Sequence, residues 1–319
     1  MPHRLSPGLG VALAVASAAT FGTSGALASA LLAAGWTPGA AVTARIGIAA
    51  LVLTPFALRQ LRGRWADLRA GAAGLMAYGV LAVAAAQLCY FNAVQHLSVG
   101  VALLLEYLGT LLVVGWMWGR HGHRPRRPTV LGGLLAVAGL VLVLDLAGAH
   151  RLDPVGVLWG LGAATGLAFY FVLSAADDEP LPPLVVAWGG LTVGAALLGL
   201  LAASGGLAFR ASRADVVLLQ QHVSWVVPLA GLSLVAAVIA YLTGIVAART
   251  LGAKVSSFVG LTEVVFAVLF AWLLLGQVPT ALQGFGGGLV VAGVVLVRLD
   301  ELRTDPVPVG ERDRVTAGR

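Results

Sequence analysis

The sequence predicts an all-α integral membrane protein of ten transmembrane helices, arranged as two inverted five-helix repeats. Three observations carry that expectation. Of the 319 residues, 59% are hydrophobic and only 11% charged, with a mean hydropathy of +0.93; soluble domains carry about 25% charged residues. Apolar runs recur along the whole chain, each near the ~20 residues needed to cross about 30 Å of hydrocarbon. The third observation is an internal repeat at a shift of 154 residues: 131–143 (LGGLLAVAGLVLV) matches 285–297 (FGGGLVVAGVVLV) at nine of thirteen positions.

Taken in order, the spans run 8–34, 38–58, 72–94, 98–118, 129–148, 155–176, 184–204, 225–248, 255–275 and 280–299. The first has a basic start and an A-x-A-like site at Ala26–Ala28, as a secretory signal would. Its apolar run reaches Ala34, too long for a signal core, and the repeat needs it as its first helix. Ser17, Thr20 and Ser24 share one face of this span, and Trp36 follows it as an interfacial anchor. The second span holds Arg45, and the third holds Gln87 and Tyr90 on one face. The fourth carries Glu106 near its middle and the belt residues Trp116 and Trp118 near its end. The fifth is the glycine-rich run of the repeat. The sixth carries Tyr170 and Ser174 on one face, with the small-xxx-small pairs Gly156/Gly160 and Gly162/Gly166. Gly190/Gly194 give the seventh the same packing signal. The eighth holds Tyr241, which aligns with Gln87 in the repeat, and the ninth holds Glu263. Gly284/Gly288 mark the tenth as a packing helix. Connections are short except 205–224, which reads as an interfacial amphipathic turn, and the polar tail 301–319 reads as disordered.

Charge sorts with topology. With both termini in the cytoplasm, sixteen of the twenty Lys and Arg residues fall inside, three outside, and Arg45 within a helix. Arg124 and Arg319 would then share the cytoplasmic side, of a plasma membrane that the chain crosses many times. The acidic run Asp177–Glu179 also falls inside, but acidic residues weigh little in this rule. Because the basic residues lie in the breaks between apolar runs, the high pI of about 10.2 indicates no nucleic-acid partner. The single cysteine, Cys89, excludes a disulfide framework. No G-x-x-x-x-G-K-[ST] and no H-E-x-x-H occurs, and the histidines lie mainly near loops or ends. No metal and no cofactor is indicated.

Five helices per half is an odd number, so the second half enters the bilayer from the opposite side. The halves are residues 1–150 and 151–300. Inverted repeats are a mark of secondary transporters, with substrate held near the midplane between the halves.

The pattern resembles the EamA family of the drug/metabolite transporter superfamily. The residues that carry the resemblance are Arg45 within TARIGIAALVLTPFAL, and the two helix pairs VALLLEYLGTLLVVGWMW…GGLLAVAGLVLVLD and LGAKVSSFVGLTEVVFAVLFAWLLLGQVPT…GGGLVVAGVVLVRLD. It covers about residues 8–299. It implies ten helices, cytoplasmic termini, and movement of amino acids, other metabolites or drugs, often outward and ion-coupled. This sequence departs from the family where proline often breaks spans four and nine; Gly109-Thr110 and Val264 stand there instead. Gln277 stands where span nine often ends in an acidic residue.

Ionisable side chains at the midplane cost about 2.5–3.5 kcal/mol on insertion scales, which makes Arg45, Glu106 and Glu263 functional candidates. Helix directions place Arg45 near the depth of Glu106, so the two are expected to pair. Glu263 falls about 6 Å away in depth, at 1.5 Å rise per residue. Gln87, Tyr90, Tyr170 and Tyr241 complete the expected substrate or coupling site. The expected function is a secondary transporter exporting small metabolites such as amino acids or drugs. Arg45 would hold an anionic substrate group, and a proton taken up by the Glu residues would be the coupling ion. The alternative is an integral membrane enzyme that uses the intramembrane carboxylates on a lipid; the absence of a catalytic motif argues against an enzyme. A sensor or scaffold would need the soluble domain that the short loops lack. No pattern fixes the oligomeric state, and a homodimer is one arrangement open to it.

Overall fold

The computed structural model describes residues 6–97, 99–121, 126–143, 153–176, 181–276, 278 and 280–302. Helix α1 (Pro7–Ala33) begins where the Ser6 hydroxyl accepts the Leu9 N–H at 3.3 Å. Helix α2 (Pro38–Gln60) begins in the same way on Thr37. Each has proline at its first position, where a missing N–H leaves no intrahelical bond unmade. A short helix, α3 (Trp65–Ala70), precedes α4 (Ala72–His96), whose stretch Tyr78–Ala85 is π-helical. Helices α5 (Val99–Tyr107) and α6 (Gly109–His121) are separated by a break at Leu108. Next come α7 (Arg127–Val143), α8 (Pro154–Ser174) and α9 (Pro183–Ala203). Strands β1 (Val216–Leu218) and β2 (Gln221–Val223) form an antiparallel hairpin, its turn at Leu219 and Gln220 with φ of 53° and 60°. Helix α10 (Val226–Gly260) has a second π-helical stretch, Gly231–Ile239, and turns at Gly252. There φ is 78° and ψ 163°, a conformation that glycine alone adopts without strain. Helices α11 (Thr262–Leu275) and α12 (Ala281–Leu302) complete the described chain.

Among the described residues, α1, α2, α4, α8, α9 and α10 are long and apolar enough to cross a membrane, and α11 and α12 contain shorter apolar stretches. Large apolar side chains such as Leu51, Phe56, Leu158 and Leu200 stand exposed on the outer faces. In water such a surface would aggregate; facing lipid tails it is at no disadvantage. The chain is a multi-pass membrane protein.

The packing has a reciprocal pattern. Helix α1 lies against α10 and α11, while α8 lies against α4 and the α5–α6 pair; α2 packs on α9, and α7 on α12. The α7–α12 contact is backbone on backbone. A Cβ on Gly132 would fall 2.7 Å from the Gly293 carbonyl, and one on Gly139 would fall 2.6 Å from the Gly286 carbonyl.

Several expectations from sequence change here. The fourth span is two helices end to end, although no proline interrupts it. The eighth span runs to Gly252, and the ninth begins directly after it and breaks at Leu261. The segment 205–224 is a folded loop with a hairpin rather than an amphipathic turn, a small departure from an all-α fold. Trp36 is no belt anchor: it is buried, donates its indole N–H to the Ser212 carbonyl at 2.8 Å and packs on Trp225. Gly284 and Gly288 have open space where a Cβ would go, so they are not packing glycines; Gly156, Gly160, Gly166 and Gly190 are. Residues 303–319 of the tail, Arg124, Asp177–Glu179 and Gln277 lie outside the described residues.

Candidate functional site

Residues from α1, α2, α4, α5, α8, α10 and α11 surround one central cavity, with about 60 Å³ open to the centre of a water molecule. All seven residues singled out in the sequence line it: Arg45, Gln87, Tyr90, Glu106, Tyr170, Tyr241 and Glu263. The wall also includes Phe21, Tyr107, Phe171 and Ser256.

Arg45 is 1% exposed. One terminal nitrogen donates to Ser24 Oγ at 3.0 Å and to Gln87 Oε1 at 2.7 Å; the other donates to the Ala236 carbonyl. These bonds tie α1, α2, α4 and α10 to one guanidinium, which also sits 6.0 Å from the Phe91 ring centroid. The Ala236 carbonyl belongs to the π-helical stretch of α10, whose wider turn accommodates a side-chain partner. The expected pair with Glu106 does not form: among the described residues no ion pair joins Arg45 to either glutamate. Neutral acceptors on three neighbouring helices take its terminal N–H groups instead, while its Nε is buried without a hydrogen-bond partner among the described residues.

The two carboxyls stand at the two helix breaks. Glu106 is the last residue but one of α5, two before Leu108, and Glu263 is the second residue of α11, two after Leu261. Tyr107 and Glu263 line the same cavity, which brings the two breaks together. Each break leaves backbone groups without helical partners, the usual setting for binding groups at membrane depth.

Aromatic rings close one side. Phe21 meets Tyr170 and Tyr241 edge-on, with centroids 6.1 Å and 5.2 Å apart, and Tyr170 meets Tyr241 at 5.6 Å and 89°. The Tyr170 hydroxyl fills the space that a Cβ on Gly244 would need. Ser17 donates to the Ala240 carbonyl at 2.8 Å, a helix-to-helix bond rather than a free cavity group. The Ser256 hydroxyl is buried without a partner.

Sequence reading missed Tyr107, Phe21, Phe171 and Ser256. Tyr107 adjoins Glu106 and could have been found as the next residue at the same helix break, had the break been visible. The two phenylalanines carry no polar signal and look like core. No cluster of His, Cys, Asp or Glu able to hold a metal occurs among the described residues.

Comparison with known proteins gives a consistent picture. The EamA-like transporter family matches residues 8–145 and, again, 154–299. The chain is 25% identical over 260 residues to Uncharacterized transporter YwfM of Bacillus subtilis (strain 168), covering 79% of this chain and 80% of that protein. A solved crystal structure with 21% identity superposes with a TM-score of 0.70 over 94% of this chain and 100% of that one, a likeness of fold.

Proposed function

The chain belongs to the EamA-like transporter family, and from that premise we propose that it is a secondary exporter of small metabolites, with substrate held in the central cavity and movement driven by proton exchange at Glu106 and Glu263. The observation that carries this reading is the cavity itself: the three ionisable residues of the membrane interior all line it. Charged groups are too costly to place in hydrocarbon without a task.

We further propose ten crossings in two inverted halves, residues 1–150 and 151–300. Reciprocal packing supports this. At a shift of 154, Gly132 corresponds to Gly286 and Gly139 to Gly293. Contacts of Gly132 with Gly293 and of Gly139 with Gly286 are therefore the paired contacts of a two-fold axis. The π-helical stretches 78–85 and 231–239 correspond at the same shift, and the breaks at Leu108 and Leu261 differ from it by one residue.

The charge sorting favours a plasma-membrane protein with cytoplasmic termini. Contacts between ends support which of them share a side, whichever side that is: His96 with Asp153, Trp36 with Ser212, and Arg249 with the Leu181 carbonyl. Arg45 acts in this scheme by fixing four helices around the cavity rather than by gripping substrate.

Purified protein in liposomes tests the reading. A pH gradient should drive uphill substrate movement, and the Glu106→Gln/Glu263→Gln double variant should lose that drive while keeping its fold. Full proton-driven transport by the double variant would make the carboxyls structural.

A further inference from the structure

The groups a ligand could touch in the cavity differ from the groups that merely line it. Arg45, the positive charge, is 1% exposed; its Nε is buried without a hydrogen-bond partner among the described residues, and its terminal nitrogens donate into protein. Glu263 is only half-buried, as are Phe21, Leu167 and Gly260 beside it. Glu106 retains 9% exposure, and neither glutamate is paired with a cation among the described residues. What the cavity offers an incoming molecule is therefore carboxyl oxygen, aromatic ring and the hydroxyls of Tyr170 and Ser256, which have no partner among the described residues. We infer that it selects a small organic cation, a protonated amine on a compact apolar or single-ring body. The ammonium sits at Glu263 and the body against Phe21 and its edge-on neighbours Tyr170 and Tyr241. This rests on the transport reading and narrows its substrate class.

Two physical terms favour a cation over an anion. An ammonium gains a charge-assisted hydrogen bond to a carboxylate that has no cation within ion-pair distance among the described residues. Ring faces carry the negative part of the aromatic quadrupole and attract the same charge. An anionic ligand would meet two carboxyls and a guanidinium whose terminal nitrogens already donate to Ser24, Gln87 and the Ala236 carbonyl, and would lose hydration that these groups replace poorly. The space, about 60 Å³ for a water centre, suits one ring rather than a large polycyclic molecule.

Three probes that share a ring and differ in charge test this on the purified full chain: benzylammonium, benzyl alcohol and benzoate, measured by calorimetric titration. Benzylammonium should bind about tenfold or more tightly than benzyl alcohol, as the loss of a hydrogen bond to a charged group implies. Its binding should weaken as pH falls, because protons compete for the carboxylate. Glu263→Gln should lose that advantage, and Phe21→Leu should weaken benzylammonium more than benzyl alcohol. The pH series needs only the unaltered protein, so it decides the matter even where a variant fails to fold. Benzoate binding as tightly as benzylammonium overturns the inference, as does binding that is indifferent to pH. Failure of all three to bind overturns it too. Benzoate that binds and crosses liposome membranes leaves transport standing while the cation site falls. Benzylammonium that binds but is never moved leaves the cation site standing while transport falls.

Discussion

At the level of single residues, Arg45 has the most structural consequence. Its donors satisfy Ser24, Gln87 and the Ala236 carbonyl, groups on three different helices. Each buried acceptor left unpaired costs roughly 1–3 kcal/mol. Arg45→Met, which keeps the length of the stem, should therefore lower the unfolding temperature in detergent well below that of Glu263→Gln. Equal stability of the two variants would contradict the clasp role. Asp153 gives a pH-dependent case. The Val155 N–H, and then His96 at 2.7 Å, hold its carboxyl below the usual aspartate range. A depressed value means stability that is present above the unfolded pKa of about 3.9 and is lost as pH falls through the lower folded value. Asp153 is exposed, so the effect is small. Asp153→Asn should be less stable than the unaltered protein at neutral pH, and the difference should close in strong acid. Thermal unfolding at both pH values measures it, and a difference that persists in acid would point to a cause other than charge.

For whole elements, the interhelical fit is set by glycine in α7 and α12. A Cβ at Gly139 would meet Gly286 O at 2.6 Å and Val290 N at 2.7 Å, both backbone atoms that move only with their helix. Gly139→Ala should therefore destabilise by roughly 1–3 kcal/mol, the usual range for overpacking. Gly115→Ala, with nothing within 4 Å, should be neutral or gain about 0.5–1 kcal/mol from helix propensity. A denaturation series on the two variants separates them, and equal effects would show that the α7–α12 contact yields freely. The same elements show what the sequence made legible. Most described helices begin and end within a few residues of the predicted spans, because an apolar run between basic breaks has one physical solution in a bilayer. The seven polar and ionisable residues converge on one cavity because a polar side chain in an apolar helix must turn inward. Breaks without proline were not legible: Leu108 and Leu261 are ordinary helix formers, and each break is one tightened turn in which their N–H groups donate to the Leu105 and Phe258 carbonyls, three residues back. The π-helical stretches Tyr78–Ala85 and Gly231–Ile239 leave no compositional trace either. Trp36 read as a belt residue because a tryptophan at a span end looks the same whether a folded loop covers it or lipid headgroups do.

On the scale of the whole molecule, the loop 205–224 and its hairpin tie distant elements together at one end. The loop before the hairpin bonds to the α1–α2 turn: Thr37 N–H donates to the Arg210 carbonyl at 3.0 Å and Thr37 Oγ1 to the Ala208 carbonyl at 2.9 Å. The hairpin turn reaches the end of α11, with Leu219 N–H donating to the Leu274 carbonyl at 2.7 Å. One segment thus fastens the start of α2 to the end of α11, elements of opposite halves. Under the transport reading, alternating access moves one half against the other about the cavity, and these bonds must release for that end to open. A direct backbone bond puts the Cα atoms of Thr37 and Arg210 close to the roughly 4.4–6.8 Å that a disulfide spans. Thr37→Cys/Arg210→Cys, in a Cys89→Ser background, should therefore cross-link on oxidation. Thr37 also caps α2, so the substitution itself costs on the order of 1 kcal/mol, and the reduced double variant is the reference. Oxidised protein in liposomes should still bind substrate, because the cavity wall is untouched. It should lose most substrate exchange, and reductant should restore it. Exchange at the full reduced rate after complete cross-linking would mean that the hairpin end stays shut throughout the cycle, leaving the movement of the halves to be found at the end that carries Arg249 and Lys254.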